Sequence, residues 1–205
     1  VRCGWAQDLS LPVADRAMLH ADNAYFLPAV RITSHRLRTN TQSATAFRGF
    51  GGPQGMLGIE RVMDHIATAL DLDPLEVRCR NYYTEGGQAT EASPKETTPY
   101  GQTVEDFCLH AMTRHLRETS NFDARRKEVD AWNAHNAVLT KGLALTPVKF
   151  GISFTLTHLN QAGALVHVYQ DGSVQLNHGG TEMGQGLFQK VAQVAAARFG
   201  IDVGQ

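Results

Sequence analysis

The sequence predicts an α+β fold, and three observations carry that prediction. Apolar residues recur at helical spacing from Met56 through Ile59, Met63, Ile66 and Ala67 to Leu70. Two short strand-like runs, 163–169 and 174–178, flank Gln170-Asp171-Gly172-Ser173, and Asp-Gly tolerates the positive φ of a type I′ hairpin turn. Helical and strand patterns come in blocks rather than in strict alternation, which disfavours a doubly wound parallel sheet.

Taken in order, residues 12–20 form a short helix. Residues 26–37 follow as a strand in which Val30 and Ile32 alternate with polar neighbours. The polar cluster 39–45 is loop, and 56–70 is the amphipathic helix. Asp73-Pro74 starts another helix, with aspartate as N-cap and proline in the first turn. Residues 84–101 are rich in Gly, Thr, Ser, Pro and Glu and offer almost nothing to bury, so they read as a linker between parts 1–83 and 102–205. Residues 104–116 and 122–138 are helical, with Phe122 and Trp132 expected in the core and Arg125-Arg126-Lys127 on a solvated face. A strand pattern occupies 142–156, the hairpin follows, and a last helix over 186–199 closes at Gly200.

A chain of 205 residues with 42% hydrophobic residues can fill a sizeable core. The charges balance, with 19 basic and 20 acidic side chains, which removes the electrostatic case for nucleic acid or an anionic membrane as partner. No apolar run has bilayer-spanning length, and residues 1–10 lack a signal-peptide layout. Val1 in place of methionine, and Gln205 close behind a helix, lead to the expectation of an internal segment of a larger protein. Cys3, Cys79 and Cys108 are odd in number and far apart, so neither a disulfide framework nor a Cys-x-x-Cys site is expected, and the setting reads as cytoplasmic. The nine histidines are scattered and give no zinc motif.

Two segments depart from ordinary patterning. TAFRGFGGPQ (45–54) and HGGTEMGQGL (178–187) are both glycine-dense loops that open helices. Glycine admits close backbone approach, and a helix N-terminus offers donors and partial positive charge to an anion. Glycine spacing alone leaves an anion or cofactor site and plain structural turns on equal footing, and neither loop is a Walker motif or Gly-x-Gly-x-x-Gly. The side chains favour a site. Arg48 brings a planar donor fork, Phe50 lies among glycines that cannot cover it, and Met183 and Gln185 add a soft wall and an amide.

These two loops, together with KFGISFT (149–155) and the following LNQAGALVHVYQDGS, resemble the xanthine dehydrogenase and oxidase family of molybdenum hydroxylases. The resemblance runs over nearly the whole chain and keeps the family's order. It implies parts of two molybdopterin-binding domains and hydroxylation of an electron-poor carbon with oxygen derived from water. Electrons then leave through 2Fe–2S clusters and FAD on other domains or subunits, in a dimeric parent. By position, Arg48 and Gly49 match the first cofactor loop, with the Arg48 backbone near the molybdenum. Met183, Gly184 and Gln185 match the second loop. Phe50 and Phe154 match the ring-gripping phenylalanines, and Thr155 stands beside them within reach of a substrate polar atom.

Arg16, in DRAMLH (15–20), is read by itself as an exposed helix arginine in a surface salt bridge. The resemblance instead matches it to an arginine of purine-hydroxylating members that aldehyde oxidases generally lack, where a fixed guanidinium stabilises charge developing on the purine. Hypoxanthine and xanthine are then the implied substrates. The family's catalytic base matches nothing in this chain. Glu182 is expected to support its own loop through backbone hydrogen bonds rather than act as that base. An aldehyde oxidase-like hydroxylase and an inactive structural fragment are the alternatives.

Overall fold

Leu9 caps helix α1 (Ser10–Leu19), whose first turn contains Ser10 and Pro12 and which the computed structural model places near the start of the described chain; residues 4–43, 45–84, 96–151 and 157–204 are described. Helix α2 (Gly52–Leu70) begins four residues before the expected start, with Gly51 as a left-handed N-cap and Pro53 in its first turn. Its buried stripe is narrower than the periodicity suggested. Met56, Met63 and Ala67 are buried, whereas Ile66 and Leu70 are exposed. Helix α3 (Pro74–Arg80) starts as expected, since the Asp73 carboxylate accepts from the amides of Leu75 at 2.8 Å and Glu76 at 3.0 Å. Such a cap is worth about 1 kcal/mol.

Helix α4 (Leu109–Thr119) begins five residues later than the sequence pattern implied. Residues 96–104 double back instead: Thr97 bridges Thr103, Val104 N–H reaches the Glu96 carbonyl, and Asp106 takes a φ of +51°. This frees Val104 and Phe107 to enter the core with Tyr25, Met63, Ala67, Val77, Tyr82 and Tyr83. Residues from both sides of the expected linker therefore share one core. Helix α5 (Phe122–Ala134) stops four residues early, because Asn133 turns to bond both the N–H and the carbonyl of Lys141. Phe122 is buried, but Trp132 is only half-buried, with the Lys141 ammonium 4.4 Å from its ring centre. Arg126 is likewise drawn off the solvated face, pairing with Asp73 at 2.9 Å.

Two expected strands are corrected. Residues 26–37 and 142–151 form no strand, apart from the neighbouring bridge of Tyr25 with Tyr82; residues 152–156 lie outside the described residues. A strand needs a partner ladder, and among the described residues neither segment has one. The backbone separates into two compact units, Val1–Gly151 and Ile152–Gln205. The second contains the expected hairpin, β1 (Ala164–Val168) paired antiparallel with β2 (Val174–His178) in the register Ala164 to His178 and Val168 to Val174. The turn is a three-residue loop with only Gly172 in the left-handed region, at φ +86°, rather than type I′. Helix α6 (Leu187–Phe199) ends at Gly200 with φ +70°. All five residues of β1 are exposed.

Candidate functional site

Within the first unit, α1 and α2 meet at unusually close range. A Cβ on Gly51 would lie 2.0 Å from the Val13 carbonyl, and one on Gly55 would lie 2.2 Å from that of Ala17. Gly51 also has φ +98°, so it is excluded from side chains on two counts. These glycines seat the loop on the turn of α1 that carries Arg16. Gly52 continues the contact: a Cβ there would be 2.5 Å from the Phe150 ring. Close helix packing, then, is one physical reason for the glycine density of the first loop.

Arg16 is not the exposed, salt-bridged residue that an isolated reading suggests. It is 4% exposed, and none of the ion pairs among the described residues involves it. Its Nη2 donates to the Gly151 carbonyl at 2.6 Å, and its guanidinium carbon stands 4.9 Å from the centre of the Phe150 ring. The buried Nε has no acceptor among the described residues. Burial draws the group below the ordinary arginine value. A desolvated cation facing an aromatic ring and a carbonyl, with no carboxylate among the described residues to neutralise it, attracts negative charge strongly.

Residues 147–149, just before Phe150, are held by polar groups from the turn that follows α1. Asn23, at φ +44°, donates to the Pro147 carbonyl at 3.0 Å and accepts from Lys149 N–H at 3.1 Å. Lys149 Nζ reaches the buried Asp22 at 3.1 Å, and Tyr83 donates to the same carboxylate at 3.2 Å. Asn23 also donates to Glu60 at 2.9 Å, where Tyr25 at 2.5 Å and Arg78 at 2.7 Å converge. Burial alone would lower the Arg78 value, but its bonds to Glu60 and Asp64 hold it raised. This network was not anticipated. The signal was present: Glu60 falls four residues after Met56 and three before Met63, on the buried stripe of α2, where a charge requires a partner.

In the first loop Arg48 is exposed, Gly49 has φ +96°, and half-buried Phe50 takes φ +52° while its N–H bonds the Phe47 carbonyl at 2.7 Å. A left-handed phenylalanine is uncommon and costs about 1 kcal/mol or more, so the surrounding packing must hold it there. Phe154 and Thr155 lie outside the described residues.

In the second unit, Met183 is exposed, Gly184 has φ +90°, and Gln185 is half-buried. The Gln185 amide accepts from Met183 N–H at 2.6 Å and donates to the Thr181 carbonyl at 2.8 Å. Around the start of α6 Glu182 takes several donors: Gly184 N–H at 2.7 Å, Gly186 at 3.1 Å and Phe188 at 3.3 Å. Burial pushes the Glu182 carboxyl up, but the amides of Gly186, Phe188, Gly184 and Leu187 together hold it below its ordinary value. The expected loop-supporting role is thus visible as geometry. Because the folded value is depressed, this support is complete above the unfolded value of 4.5 and is lost as pH falls through the folded one. In Glu182→Ala, amide exchange at Gly184, Gly186 and Phe188 should accelerate about tenfold or more. Unchanged exchange would remove Glu182 as the support.

Family models described as molybdopterin cofactor-binding domain match residues 1–82 and 115–205. The chain belongs to the molybdopterin cofactor-binding family. Among this family's proteins it is similar to xanthine dehydrogenase 1 of Arabidopsis thaliana, 50% identical over 97% of this chain and 14% of that protein. Xanthine dehydrogenase/oxidase of Gallus gallus is 48% identical over the same shares. A nicotinate hydroxylase of Emericella nidulans is 44% identical over 98% of this chain and 14% of that protein. Among solved structures, aldehyde oxidoreductase from Desulfovibrio gigas shares the fold, with a TM-score of 0.53 at 23% identity over 84% of this chain and 17% of that one. The chain thus spans about 14% of the length of the curated relatives it matches.

Proposed function

We propose that this chain forms part of the cofactor and substrate pocket of a molybdopterin-dependent hydroxylase that oxidises hypoxanthine to xanthine and xanthine to urate. The observation that carries the substrate class is Arg16, a buried guanidinium with an aromatic neighbour and no carboxylate partner among the described residues. Charge that accumulates on a purine heteroatom as the ring carbon is attacked is what such a group stabilises. The resemblance to xanthine dehydrogenases at about half identity supports the same reading.

The donor set fits the cofactor in part: Arg48 is exposed on the first loop, whereas in the second Glu182 and Gln185 already hold the amides of Gly184, Gly186, Phe188 and Met183. Exposed Arg48 stands on a loop whose glycines bring backbone to the surface, and Met183, Gly184 and Gln185 present a second loop of the same kind. By the resemblance, these four positions and Gly49, five in all, would be the chain's contribution to holding the anionic pterin. When bound, the cofactor supplies the oxygen transfer and accepts the electron pair. By the resemblance, Phe50 and Phe154 would each contact the flat ring, a good ring contact adding about 1 kcal/mol beyond area burial, and Thr155 would meet a polar atom of the substrate.

The matched stretches 1–82 and 115–205 support a division by descent into parts 1–83 and 102–205 joined by 84–101, different from the division by packing. A two-stranded hairpin with one helix is marginal alone. The open β1 and the apolar groove between Leu176, Phe188, Val191 and Phe199 therefore fit a chain that needs further segments beside it. Those partners would be the remaining molybdopterin-domain segments, bringing the catalytic base, and the 2Fe–2S and FAD domains or subunit, in a dimeric cytoplasmic enzyme. No described helix is long and apolar enough to cross a membrane. By itself the chain would be inactive.

The nicotinate hydroxylase relative favours a second reading, because a heteroaromatic carboxylate would also find a partner in Arg16. Metal analysis and turnover of the full-length protein test the proposal: molybdenum with purine hydroxylation is expected. A molybdenum-loaded enzyme that turns over nicotinate or aldehydes but no purine would overturn it.

A further inference from the structure

His20 occupies the C-cap of α1 and is 8% exposed. Its Nδ1 lies 2.9 Å from the Arg16 carbonyl, and its Nε2 accepts from Gly151 N–H at 3.3 Å. A carbonyl only accepts and an amide N–H only donates, so both bonds exist together in one form alone: the neutral ring with its proton on Nδ1. Gly151 is then gripped at both ends. Its N–H binds His20 and its carbonyl binds the Arg16 guanidinium. The Phe150 ring packs against both partners, 4.8 Å from the His20 ring centre and 4.9 Å from the guanidinium carbon. The circuit runs from the Arg16 backbone through the imidazole and Gly151 back to the Arg16 side chain.

We infer that His20 is a positioning residue: it fixes Gly151, and through Gly151 the direction of the Arg16 guanidinium. The inference rests on the substrate-facing role proposed for Arg16. Without the imidazole acceptor, Gly151 is held by Arg16 alone and the guanidinium can follow it. The charged groups acting on the ring are Arg16 on α1, Asp22 in the following turn and Lys149 just before Phe150. Burial comes first in keeping the imidazole neutral, and the positive charges of Arg16 and Lys149 add to it, against the Arg16 carbonyl bond and Asp22. Protonation of Nε2 would set an N–H against the Gly151 N–H and open the circuit.

The test is a double-mutant cycle in the full-length, cofactor-loaded enzyme. His20→Phe keeps a ring against Phe150 and removes both hydrogen bonds. Turnover of hypoxanthine should fall about tenfold to hundredfold in kcat, with molybdenum content unchanged and KM little altered. In an Arg16→Met background the same substitution should cost less than about twofold, since a residue acting through Arg16 has nothing left to aim. Equal losses in both backgrounds, or wild-type turnover by His20→Phe, would overturn the inference. If Arg16→Met alone is without effect, the fault lies in the role proposed for Arg16 instead. Should His20→Phe fail to load cofactor, His20→Asn goes through the same two backgrounds. It keeps a donor for the Arg16 carbonyl and cannot reach Gly151, and the same contrast decides.

Discussion

Replacing Arg16 by methionine in the full-length enzyme is expected to lower kcat/KM for hypoxanthine by about 10² to 10³, the scale of removing one preorganised donor to developing charge. Stability should move the other way or not at all. Arg16 is 4% exposed, lacks an ion-pair partner among the described residues and is drawn below its ordinary value by burial. Methionine has similar length and removes the desolvation cost, and such exchanges of buried ions for apolar residues are often neutral or stabilising. A purely structural arginine would behave in reverse, with stability lost and turnover kept. An aldehyde presents no second heteroatom to Arg16, so its oxidation should change little. Arg16→Lys should recover only part of the purine activity, because an ammonium lacks the planar fork. The readouts are steady-state kinetics on both substrate types and a thermal melt; a melt lowered by several degrees with intact purine kinetics contradicts the assignment.

Arg78→Ala is expected to be the most damaging single change to the fold, at about 3–5 kcal/mol. The Arg78 side chain is 3% exposed and binds Glu60, itself 13% exposed, and Asp64 at 2.7 Å each. Removing it leaves the Glu60 carboxylate facing Tyr25 and Asn23 without its counter-charge. Because Asn23 also holds Pro147 and Lys149, the damage should spread to the segment that presents Phe150 and Gly151 to Arg16. Denaturant unfolding followed by tryptophan fluorescence measures the loss, and hydrogen exchange locates it. Replacing Arg78 and Glu60 together by apolar residues of similar size should restore much of the stability, since no charge is then stranded. A double variant as unstable as Arg78→Ala would count against this explanation.

What was legible in the sequence is what local chemistry decides. The Asp73 cap and the Gly200 stop depend on residues within one turn of each other, and the body of α2 and the hairpin pairing on short contiguous patterns, from which the α+β class follows. Strand formation at 26–37 and 142–151 depends on a distant partner ladder, which alternation cannot supply. The hairpin turn was misassigned because Asp171 permits a left-handed φ without requiring it, and Gly172 alone adopts one. At the site, both glycine loops could be recognised as loops before helices. That Gly51 and Gly55 serve the approach of α1 to α2 could not be seen, because Val13 and Ala17 are far away in sequence. The support that Glu182 gives its own loop was legible, because the amides it holds lie only two to six residues away. The burial of Arg16, by contrast, depends on Gly151, 135 residues on.

The most direct measurement is a substrate panel on the intact, molybdenum-loaded enzyme, comparing kcat/KM for hypoxanthine, xanthine, nicotinate and a simple aromatic aldehyde. The substrate-facing role proposed for Arg16, a buried guanidinium with no carboxylate partner among the described residues, predicts that the two purines exceed the aldehyde by about tenfold or more, the worth of one charge-assisted hydrogen bond. Efficient aldehyde oxidation with purines untouched would contradict it.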